Sequence, residues 1–441
     1  MHSTKQHILC PAAILAIATI IILLGRTDAQ AAWTIGDPIV AYGNGPGTLL
    51  CGEHFGTLDN AAAQRLVDGG FNVALANTAQ EVQVAQAHGL RAMFQSDLLA
   101  PASLDNGPKQ AALDAMIAQL RQSPAHYGYA LKDEPAASEF ADLGRLVDYL
   151  RRRDPDHLAY INLLPNYANN QQLAAVGYQA YLTQYMNAVR PSLLSYDHYQ
   201  FTTSGDTSRY LLNLESVARA AKQAGVPFLN SIQACSWDPA TIRVPNAFET
   251  RFLIYCTMAY GAQGISYFQY GEADAPQLGG IARRDGTPMP IYTAVQAGNR
   301  EFLHIAKQYR SLKWIGAYLK GYGSAMPPGT VPLPGNSPFD IRDVSNDSTY
   351  RDGEPLKGVL CGLFGVKDTS PTDATLALVV NLDYTAGKTY TVNGPGNLSV
   401  FNATTGKWTA TNSRQAMLDL PPGGGILVGL TAGIPGDEAG K

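Results

Sequence analysis

Residues 127–164 read YGYALKDEPAASEFADLGRLVDYLRRRDPDHLAYINLL, one full repeat of the pattern on which the fold rests. An apolar run at 127–132 ends in Lys132, Asp133, Glu134 and Pro135. Phe140, Leu143, Leu146, Val147 and Leu150 then recur at spacings of three and four, the stripe of an amphipathic helix, before a second apolar run at 158–164. A strand, a helix and a strand joined this tightly make parallel neighbours. Outward from this unit, strand candidates lie at 49–55, 71–76, 90–95, 193–199, 226–233 and 265–270, which brings the count to eight. Tyr210, Leu214, Val217 and Ala221 mark another helix, and Gly69-Gly70, Gly89, Gly225 and Gly264 stand where left-handed caps would release helices into strands. Eight such units predict an α/β fold, a closed (β/α)8 TIM barrel over 33–313, rather than an open doubly wound sheet. No Gly-x-Gly-x-x-Gly follows a strand, which weighs against a dinucleotide fold.

Past Trp314 the helical period stops and turn residues multiply, as in Met326-Pro327-Pro328-Gly329 and Pro332-Leu333-Pro334-Gly335. Short runs at 359–366, 375–382, 390–392, 398–401, 417–420 and 425–430 predict a C-terminal antiparallel β-sandwich over 314–432, followed by a flexible tail at 433–441. At the other end, residues 1–32 have the parts of a signal peptide: Lys5, an apolar run at 11–24, and small residues through Ala29, Ala31 and Ala32. The apolar run is short for a membrane span, so the expectation is a secreted or periplasmic protein with no membrane partner once the signal is removed.

The chain has 441 residues, 46% hydrophobic and 15% charged, with a formal net charge of −4. That balance argues for a large packed core and against a nucleic-acid partner; Arg151, Arg152 and Arg153 read as charges complementing a helix C-terminus. Cys51, Cys235, Cys256 and Cys361 are scattered without metal-ligand spacing, compatible with buried thiols or with one or two disulfides. No metal and no organic cofactor is implied, and the oligomeric state is left open.

Barrel enzymes take their reactive groups from the C-terminal strand ends. Here those ends carry Glu53 and His54; Lys132, Asp133 and Glu134; Asn162 and Asn166; Asp197, His198 and Tyr199; Gln233; and Tyr270 with Glu272. Carboxylates, amides and aromatic rings around one mouth suit a neutral carbohydrate, which offers hydroxyls to bond and apolar faces to stack on. Glu134, among aromatic residues such as Tyr127, Tyr129 and Tyr270, is the candidate proton donor; its competing role is to cap the next helix with Asp133. Asp197 and Glu272 are candidate partners, with Asp197 also readable as a loop-bonding residue. Glu53 and His54 fit a sugar hydroxyl better than a metal, which would want a third ligand. Trp237 is a candidate stacking platform or a loop-packing residue.

At Gly128-Tyr129-Ala130-Leu131-Lys132-Asp133-Glu134-Pro135, Asn162-Leu163-Leu164-Pro165-Asn166-Tyr167, Ser195-Tyr196-Asp197-His198-Tyr199 and Met258-Ala259-Tyr260-Gly261-Ala262-Gln263-Gly264-Ile265-Ser266-Tyr267-Phe268, the chain resembles the retaining (β/α)8 glycoside hydrolases of clan A, especially an uncharacterised β-galactosidase-like branch. The resemblance implies a hydrolase of β-linked oligo- or polysaccharide with Glu134 as acid/base. Two departures stand out. Asp133 replaces the Asn usual before that Glu, and the strand-7 end, near Asn230 to Gln233, lacks the nucleophilic Glu. Three readings follow: inversion with Glu134 and Asp197 or Glu272 about 6.5–9.5 Å apart, substrate assistance with Asp133 orienting an acetamido group, or a non-catalytic barrel that binds glycans.

Overall fold

The computed structural model describes residues 33–49 and 56–434. The expected signal at 1–32 and most of the tail lie outside them. Eight parallel strands form the barrel: β1 (Ile39–Val40), β2 (Val73–Ala76), β3 (Arg91–Phe94), β4 (His126–Asp133), β5 (Leu158–Leu163), β6 (Leu194–His198), β7 (Phe228–Gln233) and β8 (Gly264–Phe268). They pair in chain order from β2 to β8, and β8 pairs with β1. Closure comes through Asn72, whose backbone N–H donates to Val40 O at 3.1 Å while its side chain accepts from Val40 N at 2.9 Å. The first strand thus lies upstream of the expected 49–55, of which 50–55 lie outside the described residues. It sits within the apolar run Pro38-Ile39-Val40-Ala41-Tyr42, which the count of strands passed over.

Ile39, Val73, Met93, Tyr127, Leu158, Leu193 and Leu229 point into the lumen and pack with Trp33, closing the N-terminal end with apolar side chains. The opposite, outward set packs beneath the helices. The helix over Phe140–Arg153 buries Phe140, Leu143, Leu146, Val147 and Leu150, the stripe visible in its sequence. Gly70, Gly89 and Gly225 hold positive φ at the expected turns. Gly264 instead opens β8, and the left-handed turn before it belongs to Gly261 (φ 84°).

From Lys313 the strands are antiparallel. The strands β9 (Lys313–Lys320), β10 (Asp340–Arg342), β11 (Val359–Gly365), β12 (Leu376–Asn381), β13 (Lys388–Asn393), β14 (Leu398–Asn402), β15 (Lys407–Ala410), β16 (Gln415–Leu420) and β17 (Gly425–Leu430) build a six-stranded sheet, ordered β9-β11-β12-β17-β14-β15, over a three-stranded one, β10-β13-β16. Strand alternation sends Val359, Cys361 and Leu363 into the sandwich and Leu360 and Phe364 toward the barrel. β9, β10 and β15 were not anticipated. Cys235, Cys256 and Cys361 are buried free thiols. Among the described residues no helix is long and apolar enough to cross a membrane.

Candidate active site

A cleft of about 370 Å³ opens at the C-terminal mouth of the barrel. Asp133 from the end of β4, Asn162 from β5 and Asp197 from β6 line it, with Ser231 of β7 beside Asp197 and Ser266 and Phe268 of β8 beyond it. Three neighbouring parallel strands therefore deliver an acid, an amide and an acid to one cleft, Asp133 in register with Asn162 and Asp197 two residues beyond Ser195, the Asn162 partner on β6. Asn162 Nδ2 donates to Asp133 Oδ1 at 3.1 Å and to Asp197 Oδ2 at 3.0 Å, bridging the two. Its Oδ1 accepts from Ser195 Oγ at 2.9 Å, which fixes the amide the right way round; Ser195 in turn lies 3.0 Å from the Tyr160 hydroxyl.

The bridge depends on an irregularity in β4. Ala130 pairs with Tyr160, but Lys132 pairs with Ile161 and Asp133 with Asn162, so Leu131 is an extra residue. This bulge shifts the inward-outward alternation by one and turns Asp133 to the same face as Asn162. Glu134 follows in a left-handed conformation, φ 44°, held by its N–H to Asn162 O at 2.9 Å and by Pro135, whose carbonyl accepts from the Tyr181 hydroxyl at 2.7 Å. Such a conformation costs a non-glycine residue about 1–2 kcal/mol. It turns the Glu134 carboxyl toward Asp197, near enough for each acid to perturb the other.

The neighbouring acids disfavour each other's charge. Asp197 is 4% exposed; Oδ2 takes Asn162 and, at 3.5 Å, the Tyr199 hydroxyl, while Oδ1 has no N–H or hydroxyl donor. Burial, then the charges of Glu134 and Asp133, push the Asp197 carboxyl well above its usual range. Glu134 opens to solvent at the mouth, yet burial of its carboxyl and the neighbouring Asp133 charge push it up to about 7, with Asp197 pulling the other way. Asp133 is raised as well, by burial, against the pull of Asn162 and Lys132. Three crowded carboxyls with one counter-charge nearby cannot all ionise at neutral pH.

Beside the acids, Tyr199 packs against Phe268 with ring centroids 5.8 Å apart, and against Trp237 at 6.1 Å. Trp237 is 41% exposed and does not itself line the cleft. On the far wall stand Gln95, Ser96 and Asp97, immediately after β3. They were not singled out from the sequence, although the strand-end rule applied to the third strand points straight to them.

The remaining candidates have other places. Tyr129 faces outward and is buried, donating to Asp154 Oδ2 at 2.5 Å. Tyr270 packs in an aromatic cluster with Tyr42 and Phe71, centroids 5.3 and 5.5 Å away. His198 sits behind the acids with Nδ1 2.9 Å from Asn213 Oδ1 and Nε2 2.8 Å from Thr207 Oγ1, its pKa lowered to about 4 by burial. Asn166 bonds through its N–H to Asn213 and through Nδ2 to Arg209 O. Gln233 is fully buried and spends its amide on backbone: Oε1 accepts from Phe201 N at 2.9 Å, and Nε2 donates to the Phe201 and Arg243 carbonyls. Glu272, in the loop after β8, does not line the cleft. Glu53 and His54 lie outside the described residues.

No family model matches the sequence, and no curated protein does. Among solved structures the chain is similar to one described as a glycoside hydrolase, with a TM-score of 0.52 and 11% identity over 90% of this chain and 93% of that one. It is also similar to the β-galactosidase from the psychrophilic Marinomonas ef1 (TM-score 0.42, 10% identity), covering 56% of this chain and spanning 57% of that chain's length. A third, the endo-1,4-β-mannanase from Eisenia fetida, has a TM-score of 0.39 and 12% identity over 59% of this chain and 91% of that one. The first of these likenesses runs through both barrel and sandwich, and at such identity it establishes the shared fold.

Proposed function

We propose that the protein is a glycoside hydrolase acting on β-linked oligo- or polysaccharide, with Glu134 as the proton donor and Asp197 as the second carboxylate. The observation that carries this reading is the carboxyl pair itself: Glu134, pushed up to about 7 by burial and the Asp133 charge, beside Asp197, which is buried and lines the cleft. A carboxylic acid still protonated near neutrality is what a glycosidic oxygen needs as it leaves. The Asn162, Ser231 and Ser266 side chains supply hydrogen bonds for a sugar.

Carboxyls near enough to perturb each other suit the ~5–5.5 Å spacing of retaining pairs better than the ~6.5–9.5 Å that leaves room for an inverting water. The geometry therefore favours retention over the inverting arrangement anticipated from the sequence. Proton delivery by Glu134 leaves Asp197 facing the developing positive charge at the sugar. A second reading keeps Glu134 as acid but makes the substrate's own 2-acetamido oxygen the nucleophile, oriented by Asp133; it is favoured by Asp133, and not Glu134, lining the cleft. Both give a product of unchanged anomeric configuration. Only the second demands a 2-acetamido substrate and inhibition by a thiazoline analogue.

E134Q is expected to lower turnover by about 10²–10⁴-fold while leaving sugar binding intact. Undiminished hydrolysis by that variant overturns the assignment of Glu134. A wild-type protein that binds glycans and cleaves none across a broad panel identifies instead a carbohydrate-binding barrel. We also propose that the chain is exported, on the composition of 1–32, and that its barrel and sandwich divide near 313 and 314; the first is checked by N-terminal sequencing of the protein recovered from its producing cell.

A further inference from the structure

At the opposite end of the barrel from the cleft, His126 begins β4, Asp154 ends the helix over Phe140–Arg153, and His157 precedes β5. One ring nitrogen from each histidine and one carboxylate oxygen lie within 4.8 Å of one another. We propose that these three residues bind a divalent transition metal of the Zn²⁺ type, pinning the start of β4 to the turn that leads into β5.

Two observations carry this. His126 is only 4% exposed, yet neither of its ring nitrogens has a hydrogen-bond partner. A buried imidazole kept for packing alone forfeits the water that satisfied both nitrogens, whereas a metal ligand recovers that loss. Asp154, 1% exposed, is a buried carboxylate already oriented: Oδ2 accepts from the Tyr129 hydroxyl at 2.5 Å, and Oδ1 lies 2.6 Å from His157 Nδ1. Fixing of ligands by outer hydrogen bonds is a recurrent property of metal sites, and the Tyr129 hydroxyl meets that description.

The donor set selects the ion. Two imidazoles and one carboxylate suit Zn²⁺ and its first-row neighbours, whereas Mg²⁺ and Ca²⁺ want oxygen alone. Metal–ligand bonds of about 2.0–2.2 Å place tetrahedral ligand atoms roughly 3.3–3.5 Å apart, so the widest pair must close by about 1.4 Å. Rotation of His126 can provide that, because its ring has no hydrogen bond to lose. Water completes the coordination from the side of His157, which borders a small opening with Arg151, Pro155 and Ser192.

The test uses the full chain, stripped with a chelator and titrated with Co²⁺ and then Zn²⁺. Expected are one equivalent of bound Co²⁺ with a visible d–d band, its displacement by Zn²⁺, and a rise of several degrees in Tm with Zn²⁺. His126→Phe, which keeps the ring packing, should lose the band and the Tm shift; His157→Gln should weaken Co²⁺ binding about 10–100-fold. Should His126→Phe fail to fold, His157→Gln carries the comparison. Absence of a stoichiometric Co²⁺ band in the wild-type chain overturns the proposal, and so does a band unchanged in the foldable variants, which would put the ion elsewhere.

Discussion

Glu134 combines two unusual properties: a positive φ in a non-glycine residue, and a pKa pushed up to about 7 by burial and the adjacent Asp133. Strain concentrated on one residue and held by its surroundings is a feature of functional positions. The raised pKa has a kinetic consequence with a definite sign. A general acid works when protonated, so kcat/KM should fall as pH rises through about 7, and that limb should vanish from the residual activity of E134Q; a flat profile from pH 6 to 8 removes Glu134 from the proton-transfer step. Gln233 gives the contrasting case. It occupies the strand where a nucleophile was anticipated, but its amide clamps the Phe201 and Arg243 backbone. Gln233→Glu should therefore confer no double-displacement activity and should destabilise the fold by about 3–5 kcal/mol, the penalty of an unpaired buried charge facing carbonyls, measurable by chemical denaturation at pH 8.

At the scale of elements, the site is the work of three adjacent strands. β4 contributes Asp133 because Leu131 bulges, β5 contributes the bridging Asn162, and β6 contributes Asp197. Asn162 touches both acids at once, so Asn162→Leu is expected to lower kcat about 10²-fold with little change in Tm, through misplacement of the carboxyls rather than lost sugar binding. A KM effect with unaltered kcat and an unaltered pH profile would make Asn162 a simple sugar contact. The alternating pattern of an ideal strand sends Asp133 and Asn162 to different faces, and an inserted residue leaves no mark in composition or hydrophobicity. Strand ends could thus be read from the sequence, whereas the facing of their side chains could not: Tyr129 and Tyr270 have the residue types of sugar-stacking rings, yet both are turned into packing.

The whole molecule ties barrel and sandwich through one apolar core that runs from the lumen-facing side of the helices to Leu360, Phe364, Leu378 and Val380. One close approach is at Gly362 of β11, where an added Cβ would stand 2.3 Å from the Ala259 carbonyl oxygen. Tyr384 adds a hydrogen bond of 2.9 Å to Asp206, in the short hairpin that follows β6. Gly362→Val should separate the two surfaces at a cost of at least about 1–3 kcal/mol, and the wild-type chain should melt in one transition that the variant splits or broadens. Local periodicity located seven of the eight barrel strands and the shift to short strands past Trp314, because apolar spacing along the chain is a property of each segment alone; it misplaced the first strand and passed over β9, β10 and β15. For the same reason the sequence determined that acids, amides and rings lie at the strand ends. Only the tertiary structure decided which of them meet. The Glu134–Asp197 pair, the Asn162 bridge and the His126–Asp154–His157 cluster join segments far apart in the chain, and their contacts depend on barrel register, a single bulge and burial, which are set by the packing of all strands together.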